Sequence, residues 1–111
     1  MTAPDLLIKG DLVLADRVIR NGWLGVAGQK IVGIYSEGSA PEAARRLDHS
    51  GHLILPGGID PHVHAYSAGP DFEGMGRLTR GAAAGGITTI VDMPYDAPKA
   101  LTDVARLTSL G

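Results

Sequence analysis

The sequence predicts an α/β fold: a small β part comes first, and parallel βα units follow it. Three observations predict this. The first half is a series of short β-patterned runs joined by Gly-containing turns. The second half runs strand, helix, strand, helix, the order of parallel βα units. Between them, Pro56-Gly57-Gly58 punctuates the chain. The boundary is therefore set at residues 1–56 and 57–111.

In the first half, residues 6–15 have strand patterning, with Gly10-Asp11 as a turn or bulge signal. Residues 23–27 form a second strand candidate, and Gly28-Gln29 leads into a third over 30–35. Ile31, Gly33 and Tyr35 would face one side of it, Val32 and Ile34 the other. Residues 36–46 are polar and small, with Pro41 inside, and predict a surface loop. Residues 47–55 return to strand. The expected arrangement is a small antiparallel sandwich with Trp23 in its core.

In the second half, residues 58–64 predict a strand. A helix is expected from Phe72 to about Ala84, with Asp71 as its N-cap. Phe72, Met75, Leu78 and Ala82 recur at spacings of three and four and share a face. Gly85-Gly86 stops the helix. Residues 87–92 are a β-branched strand. A loop with Pro94 and Pro98 follows, and Thr102 caps a last helix.

Bulk properties narrow the function. Hydrophobic residues at 44% and charged residues at 20% suit a globular chain rather than a disordered one. A formal charge of -2 provides no basic footprint for nucleic acid. The chain has no cysteine, so it has neither a disulfide framework nor a thiolate metal site. Asp5, Lys9 and Asp11 interrupt the apolar N-terminal residues, unlike a signal peptide, and no apolar run is long enough to cross a bilayer. A cytoplasmic location is the expectation.

The sharpest chemical feature is His62-Val63-His64. Residues two apart on a strand point to the same face, so the two imidazoles stand side by side. Imidazole suits Zn, Cu, Fe or Ni, and a thiolate-free hydrolytic site most often holds Zn. Two solvent-facing histidines at a strand end are the plainer alternative. Asp60 shares the face one step deeper. It either orients the site through a histidine or bonds to neighbouring backbone. Asp92 ends the next strand and either reaches the same mouth or braces the loop. His49 and His52 have no ligand-like spacing. Gly85-Gly86 lacks a phosphate-cradle pattern and is structural.

The neighbourhood of the pair carries a family resemblance. Leu55-Pro56-Gly57-Gly58-Ile59-Asp60-Pro61-His62-Val63-His64 resembles the opening motif of the cyclic amidohydrolases, which include dihydropyrimidinases or hydantoinases, allantoinases and dihydroorotases. The stretch from Gly81 through Ile87-Thr88-Thr89-Ile90-Val91-Asp92-Met93-Pro94 resembles their second motif. The resemblance implies the start of a metal-dependent (β/α)8 barrel preceded by part of a small β-sandwich. It implies that His62 and His64 are metal ligands, with Asp60 and Asp92 as supporting candidates, and no catalytic residue within this chain. It also implies Zn2+, two ions in the complete enzyme, a small-molecule cyclic amide as substrate, and a homo-oligomer. The remaining ligands of such a site, a carboxylated lysine, two histidines and a late aspartate, would lie beyond Gly111. A full barrel takes about 200–250 residues, so the expectation is an incomplete N-terminal fragment, inactive alone. The alternative is a non-catalytic fragment or relative with a structural or binding role. Dihydroorotases usually carry an Arg after the His pair, where this chain has Ala65-Tyr66-Ser67. Their Met-Pro-Asn is Met93-Pro94-Tyr95-Asp96 here. Both departures weigh against a carboxylate-bearing substrate. Residues 56–61 lean toward hydantoinases and Asp92-Met93-Pro94 toward allantoinases, so both remain open.

Overall fold

A computed structural model describes residues 2–65, 73–93 and 104–105. The chain packs as two units that meet in sequence at Pro56 and Gly57.

The first unit is one four-stranded sheet in the order β3-β2-β1-β4. β1 spans Leu6–Val13, β2 Val18–Ala27, β3 Lys30–Tyr35 and β4 Arg45–Ile54. β1 and β2 are antiparallel, as are β2 and β3. β1 and β4 run parallel, which corrects the expectation of a purely antiparallel arrangement. β2 begins at Val18, ahead of the run that the patterning suggested. Its first part contains Arg20 and Asn21, which break the apolar signal. Arg45 and Arg46, expected in the loop, belong to β4. No second sheet faces this one among the described residues of the unit.

The Gly10-Asp11 signal marks a bulge: the register with β2 shifts between Gly10 and Leu12. Asn21 sits on the opposing strand with a left-handed backbone, φ 49°. Asp11 stabilises this turn of the chain. Its Oδ1 accepts the Asn21 N–H at 2.9 Å, and its Oδ2 accepts from the Arg20 guanidinium at 2.6 Å. Together these hold the Asp11 carboxyl below the usual carboxylate range, with the Asn21 bond the largest cause. β4 has its own irregularity opposite Lys9–Asp11. There Asp48 accepts from both the hydroxyl and the N–H of Ser50, and its carboxyl is likewise lowered.

Leu7 and Leu12 are the buried hydrophobic side chains of this sheet. Trp23, expected in the core, is only half-buried. Its ring lies 5.7 Å from the Lys9 ammonium and 5.2 Å from the Arg46 guanidinium, so two cations border it. Ile31, Leu53 and Leu55 stay exposed.

The second unit is a parallel pair, β5 (Gly58–Val63) and β6 (Ile87–Asp92), linked through helix α1 (Met75–Ala84). This is a βαβ connection. Gly57 lies against Thr88, and a Cβ there would collide with the branched Thr88 side chain. The β5–β6 register slips between Asp60 and Val63. Pro61, which has no N–H to donate to a ladder, stands in that gap.

The helix starts later than expected. Its N-cap is Gly74, with φ 79° and no side-chain cap, and that backbone conformation ends the helical run on its N-terminal side. Asp71 and Phe72 lie outside the described residues, as do Pro94, Pro98 and Thr102. Met75, Leu78 and Ala82 are the half-buried positions of the helix, and its remaining residues are exposed. At its far end, Gly85 and Gly86 donate back to the carbonyls of Gly81, Ala82 and Ala83. Gly86, at φ 78°, turns the chain into β6.

Candidate metal centre

The site lies where β5 ends. The alternation of the strand sends His62 and His64 the same way. β5 itself ends at Val63, so His64 is the first residue beyond it. The two rings stand 4.9 Å apart between centroids, inclined at 73°. Their Nε2 atoms approach to 3.0 Å. Both rings are exposed to solvent.

The other side of His64 is fixed. Its Nδ1 lies 2.6 Å from the carbonyl oxygen of Met93. A carbonyl only accepts, so this nitrogen carries the proton. In neutral His64 the lone pair therefore sits on Nε2, the atom that faces His62. A histidine whose second nitrogen donates to a carbonyl is in the form that binds metal.

The separation of the nitrogens is informative. Two ligands at about 2.0–2.1 Å from one tetrahedral zinc stand roughly 3.3 Å apart. The observed 3.0 Å is within a few tenths of that value. It equally suits an N–H···N hydrogen bond, which His62 must then donate, since His64 Nε2 offers only a lone pair. Exchanging His62 to its other tautomer leaves a lone pair on each of two Nε2 atoms that stand 3.0 Å apart. Two neighbouring imidazole nitrogens are a donor set that suits a borderline cation such as zinc.

The two acids do different work. Asp60 Oδ1 accepts the backbone N–H of His62 at 3.1 Å, the local-backbone option for this residue. Asp92 Oδ1 accepts the backbone N–H of Ala65 at 2.9 Å, so it braces the chain just after the histidines. Met93 N–H donates to the carbonyl of Val63 at 2.8 Å, and Gly74 N–H donates to that of Ala65 at 2.9 Å. Among the described residues, no group of three or more His, Cys, Asp or Glu converges on one point. His49 and His52 form an edge-to-face pair in β4, 6.4 Å between ring centroids.

The chain is 36% identical over 109 residues to an allantoinase from Streptomyces avermitilis, with 96% of this chain aligned. An allantoinase from Deinococcus radiodurans is 38% identical over 110 residues, and one from Escherichia coli K12 is 37% identical over 105, each covering 93% of this chain. The chain belongs with the cyclic amidohydrolases and corresponds to their N-terminal part. It spans 22–24% of the length of these curated relatives. No family model matches it.

Within this cyclic amidohydrolase part, sequence reasoning missed two groups that hold the histidine pair in place. One is the Met93 carbonyl, a backbone group that no residue type announces. The other is the Ala65 N–H, hidden in a residue with no exposed surface. The signal that could have located both is the parallel register, which places Val63 opposite Asp92.

Proposed function

We propose that this chain supplies the first two metal ligands, His62 and His64, of a metal-dependent hydrolase that opens cyclic amides at a C–N bond. The observation that carries the proposal is the meeting of the two Nε2 atoms at 3.0 Å, with His64 Nδ1 committed to the Met93 carbonyl. Zinc, two ions in the complete enzyme, would supply Lewis acidity toward the ring amide. The residues of this chain hold and aim: His62 and His64 through Nε2, Asp60 by fixing the His62 backbone. In this reading β5, α1 and β6 open a (β/α)8 barrel with the histidines at the C-terminal end of its first strand, where barrels of this kind place their chemistry. The first unit is part of a β-sandwich.

Two observations support a substrate class: the relatives are allantoinases, and Ala65-Tyr66-Ser67 stands where dihydroorotases usually carry an Arg after the His pair. Allantoin and hydantoin-type rings are the substrates to test first.

The deciding experiment uses the full natural chain, purified with zinc and again after chelation, and follows ring opening of allantoin and hydantoin. Metal-dependent hydrolysis supports the proposal. A protein that binds no metal, or that leaves both rings intact when loaded, overturns it.

A further inference from the structure

The end of β6 grips the end of β5 at three successive residues. Val63 offers its carbonyl to the Met93 N–H at 2.8 Å. His64 donates from Nδ1 to the Met93 carbonyl at 2.6 Å. Ala65 donates its N–H to Asp92 Oδ1 at 2.9 Å. His64 is therefore held on both sides along the chain as well as through its ring. On the β6 side, the first two bonds use the Met93 backbone and would survive most substitutions there. The third depends on one side chain.

We infer that Asp92 is a positioning residue for His64: by accepting the Ala65 N–H, it keeps the strand end where the His64 ring can donate to Met93 and point Nε2 outward. This deepens the proposed function and rests on His64 being a ligand. Ala65 is fully buried in the intact chain, so removing the carboxylate leaves its N–H without the acceptor it has there. The strand end is then free to shift toward another acceptor. A shift there moves the residue directly before it, and the short bond at Nδ1 is the first to be lost. Asp92 makes this contact through a single oxygen acting as a plain acceptor. An amide oxygen can take over that role, which separates positioning from any requirement for negative charge.

The test compares Asp92→Ala and Asp92→Asn with the wild type in the full natural chain. The first readout is the ring tautomer of His64 in metal-free protein, from long-range proton–nitrogen correlation spectra. The second is zinc affinity by competition with a chromophoric chelator. The wild type and Asp92→Asn are expected to show His64 protonated at Nδ1, with zinc affinities within about 3-fold of each other. Asp92→Ala is expected to show mixed tautomers and a zinc affinity lowered by about 10–100-fold, as for loss of an outer hydrogen-bonding partner. An Ala variant with unchanged tautomer and affinity overturns the inference. So does an Asn variant that loses the Nδ1–H form, and this holds even if the Ala variant does not fold. A wild type that binds no zinc would overturn the proposed function, while the tautomer measurement would still decide the role of Asp92.

Discussion

Asp11 accepts the backbone N–H of Asn21 across two strands at 2.9 Å, and it does so as a carboxylate that also takes a second bond from Arg20. Its folded pKa is lowered, so it contributes stability above its unfolded value, near 3.9, and this contribution is lost as pH falls through the folded pKa. Unfolding followed by circular dichroism between pH 6 and about pH 2 should therefore show a decline that is shallower in Asp11→Asn. Equal slopes in the two proteins would show that Asp11 does not drive the acid sensitivity.

Asn21 occupies a left-handed backbone conformation that β-branched residues resist. Asn21→Val is expected to destabilise by about 1–2 kcal/mol, while Asn21→Gly stays close to the wild type. Denaturant midpoints of the two variants check this. A Val variant as stable as the Gly variant would mean that the bulge relaxes.

Gly57 admits no side chain against Thr88. Gly57→Ala should cost about 1–3 kcal/mol, the usual range for overpacking a fitted contact. Gly28 is a different kind of site: a Cβ there would meet nothing within 4 Å, but its φ is 59°. Its Ala variant should be penalised by backbone conformation alone. Pairing either substitution with Thr88→Ala, which removes the two nearest colliding atoms, should therefore relieve part of the Gly57→Ala cost and leave that of Gly28→Ala unchanged, as read from denaturant midpoints.

Removing a ligand should cost more than removing a neighbour. His62→Ala and His64→Ala are each expected to lower zinc affinity by more than the roughly 10–100-fold typical of outer partners. The same substitutions at His49 and His52, whose rings meet edge-to-face in β4, should leave zinc content unaltered. Metal analysis of the four purified variants distinguishes them, and equal losses at all four would remove the special status of the pair.

Substrate preference provides an independent check. With Ala65-Tyr66-Ser67 and no Arg directly after the histidines, hydrolysis of allantoin or hydantoin should outpace that of dihydroorotate by at least about 10-fold, the scale of one lost charge-assisted pair. Faster turnover of dihydroorotate would mean that its carboxylate finds an anchor elsewhere.

Much of the fold is legible in the residues. β3 and β6 are compact β-branched runs, each entered from a glycine-containing turn, and both appear with the expected ends. Met75, Leu78 and Ala82 define the half-buried helix face because a 3.6-residue period leaves few alternatives. The helix start is not legible, because Gly74 breaks the run through its backbone angle rather than by residue chemistry that a pattern would register. The β1–β4 pairing is hidden as well: it joins residues far apart in sequence, and nothing local distinguishes a parallel partner from an antiparallel one. The histidine pair stands out through its own spacing. Its supports do not, because a carbonyl at Met93 and an N–H at Ala65 become visible only once β5 and β6 are in register.

The chain has a single tryptophan, and it sits on β2 beside Lys9 and Arg46. Indole emission is therefore a spectroscopic probe of the first unit alone, sensitive to whether those two cations remain beside the ring. β5, α1 and β6 contain no tryptophan, so a melt followed by this signal carries no direct report from them. Observing the histidine site directly takes a probe placed in the second unit.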